Sequence, residues 1–160
     1  MCKVIAVGLS EWKEAERPDR LRTAGLGSCV GVVVYDDVAG RAAMAHVMLP
    51  DHHLARSSFH PAKFADTAVP GLVELLLKKG SAIENLKAKF AGGAEMFPRS
   101  GGNGQAIGAR NITAVMEGLR RLNIPLIARD TGGNAGRTIE FDTVTSKLYI
   151  RTVKRGEKEI

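Results

Sequence analysis

The 160-residue chain has only two cysteines, Cys2 and Cys29, the first beside Met1. Two thiols make no disulfide framework, and a reducing cytoplasmic setting is expected. Aromatic residues are scarce at 5%. Basic residues are scattered and no recognition motif occurs, so the net charge of +6 does not imply nucleic-acid binding. A solvated basic surface is the expected reading, with an acidic protein partner second. No apolar run is long enough to cross a membrane, and no signal-peptide pattern opens the chain, so no membrane insertion is expected. Neither a Walker-type Gly-Lys-Ser/Thr nor an HExxH helix is present. Asp51, His52, His53 and His60 lie in a loop without metal-ligand spacing and read as solvent-exposed groups; no metal is expected. Gly92-Gly93 and Gly101-Gly102-Asn103-Gly104 read as backbone turns, although Gly92 and Gly93 would also permit close approach of a substrate.

What is present is concentrated in residues 23–50. Cys29 follows a Gly25-Leu26-Gly27-Ser28 turn and precedes an apolar run, 30–35. A second apolar run, 42–49, carries His46. The turn-like composition between them, 36–41, predicts a β-hairpin. A turn centred between Asp37 and Val38 places Cys29 opposite His46; a centre one residue later sets them diagonally. Opposite Cβ atoms lie roughly 4.5–5.5 Å apart and diagonal ones about 7–8 Å. Either register puts a thiol and an imidazole at one hairpin end. Proton transfer between them would give an ion pair with a lowered thiol pKa. Backbone N–H groups around Gly27, Ser28 and Cys29 are candidates for holding an oxyanion. Gly27-Ser28-Cys29-Val30-Gly31 formally matches a nucleophile elbow, but a strand rather than a helix follows, which argues against an α/β-hydrolase. Without further information, one Cys and one His in a hairpin are more often a small core residue and a satisfied core histidine.

At 44% hydrophobic and 25% charged residues, the chain suits one globular domain, 1–160, with 154–160 as a frayed tail. Strands are expected at 3–8, 21–26, 86–91, 126–129, 138–141 and 147–153, besides the hairpin. Residues 10–18 read as a polar loop. Helices are expected at 64–79 and from Asn111, as a cap, to about 122. Pro70 then requires the first helix to begin near Asp66. Residues 98–105 read as a Gly- and Ser-rich loop. The fold class is α+β, with mixed β-sheets flanked by helices.

Thr23, Gly25-Leu26-Gly27-Ser28-Cys29-Val30 and Ala45-His46-Val47-Met48-Leu49-Pro50 resemble the signature of the CheD family of chemoreceptor glutamine deamidases. So do Ala65-Asp66-Thr67-Ala68-Val69, Phe90-Ala91-Gly92-Gly93-Ala94, Met96-Phe97, Ile107-Gly108-Ala109-Arg110-Asn111 and Asp130-Thr131-Gly132-Gly133-Asn134, in the family's order. The resemblance spans about residues 4–153. The departures, the His-rich loop 51–60 and Pro70, leave the Cys/His pair intact.

The resemblance implies a cysteine hydrolase fold like that of deamidating toxins of the cytotoxic necrotising factor type. It implies Cys29 as nucleophile, His46 as base and Thr23 as the group orienting the histidine, by hydroxyl or backbone carbonyl. It implies no cofactor. The implied partners are chemoreceptor cytoplasmic helices and a CheC-type phosphatase, with a monomer when free. Gly27, Ser28, Gly92, Gly93 and Phe97 are the expected substrate-side residues, Phe97 as an aromatic anchor. Two rivals stand beside this reading: a binding module without turnover, which the intact Cys29, His46 and Thr23 oppose, and a cysteine amidase with another target.

Overall fold

The apolar run 30–35 must be covered on both faces, and the architecture is arranged to do that for the strand Val30–Asp36. The computed structural model describes residues 1–96 and 106–160. Its strands are β1 (Val4–Ala6), β2 (Trp12–Glu16), β3 (Arg20–Leu26), β4 (Val30–Asp36), β5 (Arg41–Val47), β6 (Leu86–Gly92), β7 (Leu126–Thr131), β8 (Arg137–Asp142), β9 (Lys147–Thr152) and β10 (Gly156–Glu159). The helices are α1 (Ala65–Lys78) and α2 (Ile107–Arg121). One five-stranded sheet runs β1-β3-β8-β9-β10 and the other β2-β5-β4-β6-β7. Both are mixed, since β1 pairs with β3 and β6 with β7 in parallel.

Side-chain alternation sorts the central strands into two cores. Val30, Val32 and Val34 of β4, with Ala43, Ala45 and Val47 of β5, pack against α1 and α2. Val33 and Tyr35, with Ala42 and Met44, pack against Leu21, Ile139, Phe141 and Ile150 of the other sheet. The order is therefore sheet, sheet, helices, with β4 in the middle layer. Each fully buried valine contributes about 1.5–3 kcal/mol, which explains why this run has no polar face. His46 has the parity of Ala42 and Met44, so β5 presents it to the space between the sheets.

Three expectations are corrected. Residues 10–18 contain β2, an edge strand paired with β5; its charged side chains are compatible with a strand because one edge meets solvent. Trp12 of β2 lies on α1 at Gly71, where any Cβ would overlap the indole ring. The tail is not frayed, because β10 pairs with β9 and Ile160 exchanges backbone hydrogen bonds with Leu148. Asn111 does not cap α2, which starts four residues earlier at Ile107 with Ala106 at its N-cap. Pro70 lies in the second turn of α1 on an exposed face, so the donor it lacks costs a hydrogen bond that water can replace.

Candidate active site

The turn between β4 and β5 sets the register. Gly31 stands opposite His46 and Val30 opposite Val47. Cys29 precedes the first paired residue of β4 and is diagonal to His46, the second of the two registers open to the sequence. Gly31 is required there. A Cβ on it would meet Ile139, Leu26 and Thr23 side chains from the facing sheet.

Thr23, at 2% exposure, reaches His46 across the gap between the sheets. Its Oγ1 lies 2.7 Å from His46 Nδ1 and 2.8 Å from the Val7 carbonyl oxygen. A carbonyl only accepts, so the single hydroxyl proton goes to Val7, and Nδ1–H must donate to Thr23 Oγ1. That fixes the neutral tautomer of His46 and leaves the Nε2 lone pair free. His46 is fully buried, and Nε2 has no hydrogen-bond partner among the described residues. A buried unpaired nitrogen costs stability, roughly 1–3 kcal/mol. It is the arrangement a proton acceptor needs.

Cys29 is half-buried beside this layer, packed against the inter-sheet core. Its backbone is clamped from β6. Gly93 N–H donates to the Cys29 carbonyl at 2.9 Å, and Ala94 N–H donates to the Gly27 carbonyl at 2.9 Å. Gly92 has φ +124°, and a Cβ there would collide with the Cys29 carbonyl. Gly92 and Gly93 are thus buried behind the cysteine backbone. The Ser28 and Cys29 amides donate to no acceptor among the described residues. Two such donors beside a nucleophile are suited to a developing oxyanion.

Asn111 is a site residue that sequence reasoning missed. Fully buried in α2, it donates Nδ2–H to the Ser28 carbonyl at 2.9 Å and the Met48 carbonyl at 3.0 Å. It therefore ties the cysteine loop to the chain just beyond His46. Its Oδ1 has no partner among the described residues. The signals in the sequence were a polar side chain at an α2 position otherwise facing the core and the place of Asn111 in the Ile107-Gly108-Ala109-Arg110-Asn111 motif.

The electrostatics differ from a preformed ion pair. Burial pushes the Cys29 thiol up from its ordinary value, and burial holds the His46 imidazole below its own. Both causes favour the neutral forms at rest. Burial thus opposes the expected thiolate–imidazolium pair.

Of the other expected residues, Gly27 is half-buried with Met96 against its Cα. Ser28 is half-buried and contributes its carbonyl to Asn111. Phe97 and the loop 98–105 lie outside the described residues. His60 packs edge-on to Trp12, with ring centroids 5.0 Å apart. No described helix is long and apolar enough to cross a membrane.

Residues 48–152 match the family model described as CheD chemotactic sensory transduction. The chain is 51% identical over 162 residues to a chemoreceptor glutamine deamidase CheD of Halalkalibacterium halodurans, covering all of both chains. It is 50% identical over 159 residues to the Bacillus subtilis protein of the same name, covering 98% of this chain and 96% of that one. A probable chemoreceptor glutamine deamidase CheD of Clostridium botulinum is 47% identical over 159 residues, covering 99% and 98%.

Proposed function

The chain belongs to the CheD family, and from that premise we propose that it hydrolyses glutamine side-chain amides of chemoreceptors to glutamate and ammonia. Cys29 Sγ attacks the γ-carboxamide carbon while His46 Nε2 takes the thiol proton. The Ser28 and Cys29 amides receive the oxyanion. His46 returns the proton to the departing ammonia, leaving a thioester on Cys29. Water, deprotonated by the same nitrogen, attacks the thioester and releases glutamate and the thiol. Thr23 holds the imidazole with Nε2 free throughout. Gly92 and Gly93 fix the cysteine backbone rather than touching substrate.

The observation that carries this reading is the Val7–Thr23–His46 hydrogen-bond chain ending in an unpaired, buried Nε2. A merely structural histidine would have both ring nitrogens satisfied. Each deamidation places a carboxylate on a receptor helix and so alters its signalling equilibrium. The catalytic unit is the single domain 1–160, acting as a cytoplasmic monomer on receptor cytoplasmic helices, with a CheC-type phosphatase as second partner and no cofactor. Its two mixed sheets and paired helices are compatible with a cysteine hydrolase fold of the deamidating-toxin kind.

The test is tandem mass spectrometry of a receptor cytoplasmic fragment incubated with the protein. Specific glutamines are expected to appear as glutamates in a time-dependent manner. Stable binding of the fragment without any mass change would support the binding-module reading instead.

A further inference from the structure

The loop after β5 and the first turn of α1 bring together four potential ligands that sequence spacing does not reveal. One donor atom from each of Asp51, His52, His53 and Asp66 lies within 4.8 Å of the other three. His52 Nδ1 is 2.5 Å from Asp66 Oδ2 and 3.7 Å from Asp51 Oδ1. His53 Nδ1 is 2.7 Å from Asp51 Oδ1. Asp66 joins the others only because the chain folds back, with Ala65 N–H donating to Leu49 O and Asp66 N–H to Pro50 O.

Zinc bonds of about 2.0–2.2 Å to imidazole nitrogen and carboxylate oxygen place donors in a tetrahedron roughly 3.3–3.5 Å apart. The observed separations fall on both sides of that value. The two short ones are hydrogen bonds, and a cation replaces the proton within each as the donors move apart by under about 1 Å. The frame that holds the ligands is independent of those protons. His52 N–H donates to Asp66 Oδ1 at 3.0 Å, leaving Oδ2 for a metal, and His53 N–H donates to Asp51 Oδ1 at 2.8 Å. The two imidazoles lie side by side, centroids 4.1 Å apart and planes tilted by 36°. With side-chain exposures of 41% and 78%, both are open to an ion arriving from solvent. Two nitrogens with two carboxylate oxygens favour zinc over the all-oxygen cations magnesium and calcium.

We propose that Asp51, His52, His53 and Asp66 bind one zinc ion, which clamps the loop after β5 to the start of α1. The ion lies outside the Cys29–His46 machinery and has no part in the chemistry there. Its role is to fix the chain that leaves the His46 strand through Met48, Leu49 and Pro50.

The test uses the full chain, stripped of metal and titrated with cobalt as a spectroscopic probe and with zinc by calorimetry. One ion per chain is expected, with the intense visible bands of tetrahedral cobalt and a rise in Tm on zinc addition. The His52→Ala/His53→Ala double variant, confirmed folded by circular dichroism, should lose the bands and the Tm rise. Asp66→Asn retains the acceptor for His52 N–H and should also bind more weakly. Equal binding by wild type and the double variant would overturn the proposal. So would cobalt–thiolate charge-transfer bands, which would place the ion on a cysteine, or no binding by the wild type.

Discussion

Thr23 and His46 belong to different sheets, yet their side chains meet at 2.7 Å, and the Thr23 hydroxyl donates its hydrogen bond to the Val7 carbonyl oxygen rather than to the imidazole. This single contact decides which nitrogen of His46 is a base. Thr23→Val keeps the shape and removes the acceptor for Nδ1–H. Leaving a buried donor unpaired costs about 1–3 kcal/mol of stability, and turnover should fall because the Nε2 lone pair is no longer held as the base. Thr23→Ser should recover most of it. Equal rates for the valine and serine variants would show that Thr23 acts only by packing.

The pH behaviour follows from the two shifts. His46 must be neutral to accept a proton, and its pKa is lowered by burial from 6.5. The acid limb of kcat/KM is therefore expected below pH 6.5, with activity falling as pH drops through the folded-state value. The same group links to stability: neutral His46 is fully accommodated above its unfolded pKa, and that contribution is lost as pH falls through the depressed one. A profile with its acid limb above pH 6.5 would contradict the assignment.

Thiol labelling gives a separate check. Cys2 is exposed, whereas Cys29 is half-buried with its thiol pushed up by burial. Iodoacetamide in the absence of substrate should modify Cys2 first, and Cys29 labelling should accelerate steadily as pH rises. A plateau of fast Cys29 labelling at acidic pH would instead reveal a resting ion pair.

Asn111→Leu removes two hydrogen bonds to the Ser28 and Met48 carbonyls. It also removes an orphaned Oδ1, so the net loss of stability should be modest, about 1–3 kcal/mol by urea denaturation. Turnover should fall further than stability, because the cysteine loop is no longer tied to the chain beyond His46. Gly92→Ala is different in kind. Its φ of +124° and the collision with the Cys29 carbonyl should lower both stability and activity together.

The hairpin was legible because two apolar runs flanked a turn, and the strand pattern of β4 followed from hydrophobicity alone. The register was not, since the sequence allowed two turn centres; packing of Gly31 under Ile139 accompanies the one adopted. β2 was missed because an edge strand can carry charge, and β10 because its residues are all exposed and only pairing defines it. The Cys29 and His46 positions could be named from the family resemblance. Asn111 and the Asp66 ligand could not, because their roles arise from contacts between segments distant in the chain.

In the proposed reaction Cys29 carries the acyl group while His46 moves the proton. Acid quenching during turnover on a receptor fragment, followed by proteolysis and mass spectrometry, reads this directly. A substrate-derived thioester is expected on the peptide containing Cys29, absent from Cys29→Ser and strongly reduced in His46→Ala. An adduct on Cys2 or Ser28, or undiminished deamidation by Cys29→Ser, would contradict it.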